Sequence, residues 1–418
     1  MFKSFALLLA TVLICLSEVY AQSGWYSQTS PTTHWLYGIW FTDANTGTLA
    51  GGTFPAPFQG SILRTTNGGV TWTNQLSWTS GYLSGASFVD SMNGWVTGQY
   101  GVILHTTNGG NTWTQQGSGT TNNLDAVFCI DANTVHANGA FGTIRRTTNA
   151  GNIWIAQSSN TSNHLFESFF TSADIGTIVG NGGTIRHTTN GGATWIVQTS
   201  GTTNDLRGVH FTDANTGTVV GFGGVILRTT NGGATWTSQT SGTSTDLQDV
   251  FFTDTDTGTV VGGFWPSGGG GTIRRTTNGG ATWTSQTIPT TNALIRVFFT
   301  DPNTGTAAGY AGTILRTTTG GITWVAEDRQ EMPNHFSLSQ NFPNPFNPET
   351  RIKFQIPNSN FVSLKVYTIL GQGVATLLNE EMKPGSYEVT WDALGFASGI
   401  YFYRLQTGSF IETKRIFC

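Results

Sequence analysis

The sequence predicts an all-β chain, a seven-bladed β-propeller followed by a small β-sandwich, and three observations carry that prediction. A unit recurs with its tryptophan at Trp25, Trp72, Trp113, Trp154, Trp195, Trp236, Trp283 and Trp324, spaced 47, 41, 41, 41, 41, 47 and 41, so that eight markers enclose seven units. A period near ~40 residues suits propeller blades and helical-pair solenoids alike. The units are built from Thr, Val, Ile, Phe and Gly, with alternating runs such as VVGFGGVILRTT, and lack the Ala, Leu, Glu and Lys that helices need. With 55 glycines and only 10% charged residues in 418, the composition is that of a turn-dense β protein of the secreted kind.

The clearest unit runs from Leu206 to Trp236. It reads as a strand over Leu206 to Phe211, a turn at Asp213 to Gly217, a second strand over Thr218 to Val220, a third over Val225 to Thr229, and a fourth opening at Thr235 and Trp236. Four short strands make a blade, and radial repetition protects sheet edges. Trp25 begins an eighth copy of the fourth strand, so blade seven can be completed by residues 25–30 or by the Trp324 strand. The intact spacing at 317–324 favours Trp324, with residues 25–30 as an added strand or seal.

The expected organisation is a signal peptide over 1–21, the propeller over 22–324, a linker over 325–336 and a C-terminal domain over 337–418. Lys3, the apolar stretch from Phe5 to Leu16 and the small-residue exit Val19-Tyr20-Ala21 are the parts of a secretory signal cleaved after Ala21. Ile14 before Cys15 argues against a lipoprotein signal. No other run approaches the ~20 apolar residues of a membrane span. Cys129 stands where other units have Phe41, Phe88, Phe170, Phe211, Phe252 and Phe299, and so reads as a buried small hydrophobe; with Cys418 it makes no disulfide framework. A net charge of −4 gives no reason to expect nucleic acid as partner.

The tail carries three motifs in order: Gln340 to Pro348 (QNFPNPFNP), Val362 to Gly371 (VSLKVYTILG), and Gly399 to Arg404 (GIYFYR) followed by Lys414-Arg415. It resembles the type A C-terminal sorting domain of type IX secretion. The resemblance implies export across the inner membrane by the signal peptide and across the outer membrane by the tail, which engages the secretion machinery. The cargo is then released or held on the cell surface.

The segment Thr229 to Trp236 (TTNGGATW) fits the Asp-box pattern and recurs before Trp72, Trp113, Trp154, Trp195, Trp236, Trp283 and Trp324, with drift at Asn149–Trp154 and at Thr317–Thr319. Together with its F-x-D-x-x-T-G segment, the unit resembles the BNR-like photosystem II stability and assembly factor propellers. Asp boxes also occur in sialidases, whose chemistry needs an arginine cluster, a tyrosine paired with a glutamate, and an acid/base carboxylate. Here Glu167 is the sole propeller glutamate, and Asp43, Asp90, Asp131, Asp213, Asp254 and Asp301 share one turn slot. Residues repeated in nearly every unit are explained by the unit, so no catalytic residue, metal site or cofactor is assigned. Asp254 to Gly258 resembles a calcium loop but lacks its closing glutamate, and Asp and Gly are wanted there by the turn.

Two features remain as candidate sites. One basic residue precedes each Asp box: Arg64, His105, Arg146, His187, Arg228, Arg275 and Arg316. They form either a cationic ring, as the arginine-rich recognition patch of the resembled family implies, or, the reading favoured here, side chains packed along their own blades on local carbonyls. The two 47-residue units gain their extra length between second and third strands, at Thr53 to Gln59 with Phe54 and Phe58, and at Phe264 to Gly268 with Trp265. Both units flank blade seven. With Tyr100, Phe141, Asn181, Phe222 and Tyr310 at the matching tips, that face is expected to carry a mostly aromatic ring with a groove over Tyr310, a surface suited to protein or sugar. The expected function is a secreted or surface-held protein-binding or scaffolding module; the alternative is a carbohydrate-directed protein, a lectin-like binder or sialidase-like glycosidase, for which Glu167 would have to sit in the central pocket.

Overall fold

The computed structural model describes residues 24–75, 79, 81–264, 266–322 and 335–418, so the expected signal peptide, most of the linker, Trp265 and Trp324 lie outside the described residues. Among these the chain divides into two compact units that part after Trp324. The first holds seven four-stranded antiparallel sheets. Blade five shows the pattern: Leu206–Phe211, Gly217–Gly221, Val225–Thr229 and Thr237–Gln239, from axis to rim. The fourth strand thus opens one residue after Trp236, which packs edge-on against Phe211 at 6.0 Å and belongs to the blade core.

Each innermost strand opens with a fully buried leucine, preceded in blade one by Trp35, and ends on an aromatic ring, except in blade three. That ring lies over the first residue of the second strand: a Cβ at Gly47 would come within 2.4 Å of the Phe41 ring, and the pair recurs in six blades. In blade three Cys129 faces Val135 instead. The small thiol makes room for the larger partner, and the exchange conserves volume across the pair. Cys129 is buried, and burial pushes its thiol up to about 12; it is a packing residue.

The Asp boxes are turns held by their own side chains. Thr229 Oγ1 accepts the N–H of Gly233 at 2.8 Å, while Asn231 Oδ1 accepts that of Thr235 at 3.0 Å. Gly232 and Gly233 take φ of 67° and 83°, where a side chain would be strained. The box then couples blades: Gln198, at the end of blade four, accepts from Trp236 Nε1 at 3.1 Å and donates to Gly232 O at 2.8 Å.

This coupling decides closure, against the expectation from Trp324. Tyr26–Ser27 pairs with Ile314–Thr317 and forms the rim strand of blade seven. Trp25 packs edge-on to Phe299 at 5.8 Å, and Gln28 bonds Trp72 Nε1 and Gly68 O in blade one. The segment Trp25-Tyr-Ser-Gln28 supplies both the tryptophan and the glutamine three residues on; after Trp324 that position is Glu327, which as a carboxylate cannot donate to the next box.

The second unit is a β-sandwich. One sheet joins Ser337–Leu338, Glu349–Ile356 and Gly385–Asp392; the other joins Gly373–Met382, Asn360–Thr368, Ile400–Thr407 and Phe410–Phe417. Alternate residues Ile352, Phe354, Ile356 and Val362, Leu364, Val366 point into its core with Trp391 and Tyr403.

Candidate functional site

Every innermost strand carries a β-bulge just after its leucine. The bulged residues are Tyr37, Ser84, Asp125, Phe166, Arg207, Gln248 and Ile295, seven different side chains at one position of a repeat whose preceding residue is always leucine. A bulge re-aims the side chain it carries. Here all seven line one cavity of about 360 Å³, on the face of the second-to-third connections, together with Phe54, Tyr82, His164, Asn181, Asp205 and Arg296.

Its chemistry is mixed. The Arg207 guanidinium lies between the rings of Phe166 at 3.7 Å and Phe222 at 4.3 Å, with Asp205 at 3.9 Å. Burial lowers it to about 10 against the pull of Asp205. His164 Nε2 meets the Asp125 carboxylate, and its ring stacks on Phe166 at 4.6 Å. Burial pushes the Tyr82 phenol up to about 12 and raises that of Tyr37 too. Gln248 is only 5% exposed, and its side-chain amide makes no hydrogen bond with the described residues.

One residue further along each strand, the repeat breaks again: Gly38, Gly85, Ala126, Glu167, Gly208, Asp249 and Arg296. These meet in the axial channel, a cavity of about 270 Å³. Glu167 Oε2 pairs with Arg296 Nη2 at 2.8 Å, and Asp249 accepts the N–H groups of Val250 at 2.8 Å and Val297 at 2.9 Å. Burial pushes Glu167 up to about 7, with Arg296 opposing, and Asp249 up to about 6. Below them, rings contact one another around the axis: Trp40, Phe128, Phe169, His210, Phe251 and Phe298, with neighbouring centroids 4.4 to 6.2 Å apart. Trp40 spans blade two, which has Ser87 at this place.

The face aromatics do not form the single ring expected. Tyr100 and Phe141 occupy the second residue of their turns, at φ of 60° and 55°, and point outward, Phe141 being 74% exposed. Phe222 and Tyr310 occupy the first residue and turn inward. Tyr310 stacks on Trp35 at 4.1 Å and is 5% exposed, while Gly268 of the blade-six connection packs on its ring. Phe54 also packs on Trp35, tilted at 5.3 Å. The two long connections therefore converge on Tyr310 and cover it, where a groove was expected. Phe54 and Phe264 are exposed and Phe58 half-buried.

The arginines before the Asp boxes bridge blades on the opposite side, while the two histidines contact their own blades. Arg316 donates to Thr306 Oγ1 at 2.8 Å and to Ala44 O of blade one at 2.6 Å. Arg64, Arg228 and Arg275 make the equivalent bonds to Ser91 O, Thr255 O and Pro302 O, and Arg146 lies against Gly191. His105 stacks on Trp95 at 4.0 Å, and His187 bonds Thr177 at 3.0 Å. Arg64, His187, Arg275 and Arg316 are buried. In the Asp43 and Asp254 turns the carboxylate accepts two backbone N–H groups, and among the described residues no cluster of three or more potential ligands gathers for a metal. No described helix is long and apolar enough to cross a membrane.

Residues 17–168 match the family described as photosynthesis system II assembly factor YCF48, and residues 340–418 match the secretion system C-terminal sorting domain. No curated protein sequence matches the chain. Among solved structures, YCF48 bound to D1 peptide is 21% identical with a TM-score of 0.59, covering 71% of this chain and 97% of its own. YCF48 from Cyanidioschyzon merolae is 20% identical at 0.58, covering 71% and 99%. A GH74 xyloglucanase from Xanthomonas campestris is 11% identical at 0.57, covering 80% and 59%. The chain is an all-β propeller resembling the YCF48 propellers, followed by a type IX sorting domain that implies secretion or cell-surface export.

Proposed function

We propose that the exported propeller is a non-enzymatic module that binds a protein partner in the cavity ringed by the seven bulged residues. The observation that carries this reading is the coexistence, one residue apart, of an invariant leucine and a position with no two side chains alike. Scaffold positions repeat because each blade needs the same packing; a position that repeats nowhere is free of that requirement, and all seven copies face one cavity. Exposed Phe54, Tyr100, Phe141 and Phe264 on the same face extend the surface around it, and a similar propeller holds a peptide. The test is selection from a displayed random-peptide library on the parent and on a Phe166→Ala/Gln248→Ala variant. Peptides enriched by the parent and lost on the variant are expected; enrichment that survives the variant, or none at all, contradicts the reading.

A second reading, a carbohydrate-directed protein, draws on one observation: Glu167 lies in the axial channel, with Asp249 also lining it. Hydrolysis would require Glu167→Gln to abolish turnover of a polysaccharide. The engagement of Glu167 by Arg296 and of Asp249 by two backbone N–H groups speaks against a free acid/base pair.

A further inference from the structure

We infer that the cavity takes a basic side chain, the guanidinium or ammonium group of a peptide partner, and that Asp125 and Gln248 receive it. The inference rests on the peptide-binding reading above and names the chemistry of the partner.

Charge is the first argument. Two carboxylates, Asp125 and Asp205, line the cavity beside the guanidinium groups of Arg207 and Arg296 and the His164 imidazole. Two more, Glu167 and Asp249, line the channel beneath it, so that carboxyl groups outnumber guanidinium groups by two, with burial holding the channel pair partly protonated. Both cations are engaged: Arg207 by two aromatic faces and Asp205, Arg296 by Glu167. Asp125 has an imidazole for its side-chain partner and Asp249 has backbone N–H groups. No lysine occurs anywhere between Ser23 and Trp324 to balance them. An acid in a cavity of this kind is stabilised by an incoming cation far more than one at an open surface, because the low dielectric strengthens the pairing.

The second argument is independent of charge. Gln248 is buried to nineteen parts in twenty, lines the cavity and leaves its amide without a hydrogen bond to the described residues. The amide therefore faces the cavity, and its Oε1 is an acceptor of the kind that N–H donors of a guanidinium or ammonium seek. The aromatic walls, Tyr37, Tyr82 and Phe54, complete a lining on which a cation stacks favourably. The occupant is thus the basic tip of a chain whose flanking residues rest on the exposed rim rings, Phe54, Tyr100 and Phe141.

The experiment uses the full exported protein and three biotinylated heptapeptide pools with random flanks and a fixed central arginine, glutamate or norleucine. Retention of the arginine pool at least tenfold above the other two is expected, with most of that preference lost on Asp125→Asn and reduced several-fold on Gln248→Leu, both variants first checked for parental urea unfolding. Equal retention of the three pools, abolished by Phe166→Ala/Gln248→Ala, leaves the peptide-binding reading standing and overturns this inference. Preference for the glutamate pool overturns it directly. Argininamide competing as strongly as a retained peptide overturns the peptide part, since a free cation would then suffice. Failure to retain any pool overturns both readings.

Discussion

Trp25 Nε1 donates to Gln286 Oε1 at 2.7 Å, across 261 positions of the chain. The bond helps to hold the first described strand in the last blade, so that the ring is closed non-covalently by the segment that begins it. A propeller closed in this way is stabilised by every contact of a two-residue strand and its flanks.

Trp25→Ala is therefore expected to cost ~3–5 kcal/mol, the range for a buried tryptophan, and Gln28→Leu ~1–3 kcal/mol, because Trp72 Nε1 and Gly68 O lose their partner. Urea unfolding measures both. A Trp25→Ala loss under ~1 kcal/mol would place the closure elsewhere.

The inter-blade arginines make a prediction of the same kind. Arg316→Met retains the apolar stem but strands Ala44 O and Thr306 Oγ1 in a contact that is 4% exposed, so ~1–3 kcal/mol is expected. Arg145→Met, removing an exposed bond to Gly119 O, should fall within ~0.5 kcal/mol.

Blade three offers a repair experiment. Cys129→Phe alone meets Val135 and is expected to cost ~1–3 kcal/mol through overpacking. Adding Val135→Gly restores the Phe–Gly pair of the other six blades and should recover most of that loss. A double variant as unstable as the single would show that the two positions do not share one space.

The channel acids predict a pH dependence. Glu167 titrates near 7 when folded, above its ordinary 4.5, so between those values the folded protein binds more protons than the unfolded chain. Stability from this group is complete below the lower value and declines as pH rises through the upper one. Subtracting the stability curve of Glu167→Gln from that of the parent isolates the effect from the buried histidines His136 and His210, whose depressed values act in the opposite sense. The difference should fall from pH 4.5 to 7.5; a flat or rising difference contradicts it.

The period, the three inner strands of blade five and the unequal connections were legible because repetition marks them. Tryptophan spacing alone points to Trp324 for closure, but the glutamine three residues after the tryptophan carries the inter-blade bonds: Gln28 is present and Glu327 stands in its place at the other end. The tip aromatics were aligned as one position when Tyr100 and Phe141 sit one residue later than Phe222 and Tyr310, and a shift of one residue reverses the direction of a side chain. The cavity leaves no mark in the repeat for a related reason. Attention to what repeats passes over the single column, from Tyr37 to Ile295, where nothing does.

The most direct test of that cavity as the binding site is photo-crosslinking. A peptide selected on the parent, carrying a benzophenone next to its most selective residue, is irradiated on the protein and the adduct located by mass spectrometry. Adducts on the segments around Phe54, Tyr82, Phe166 or Phe222 are the predicted result. Adducts on the Asp-box side, near Arg64, Arg228 or Arg316, would contradict the account and return recognition to the basic residues.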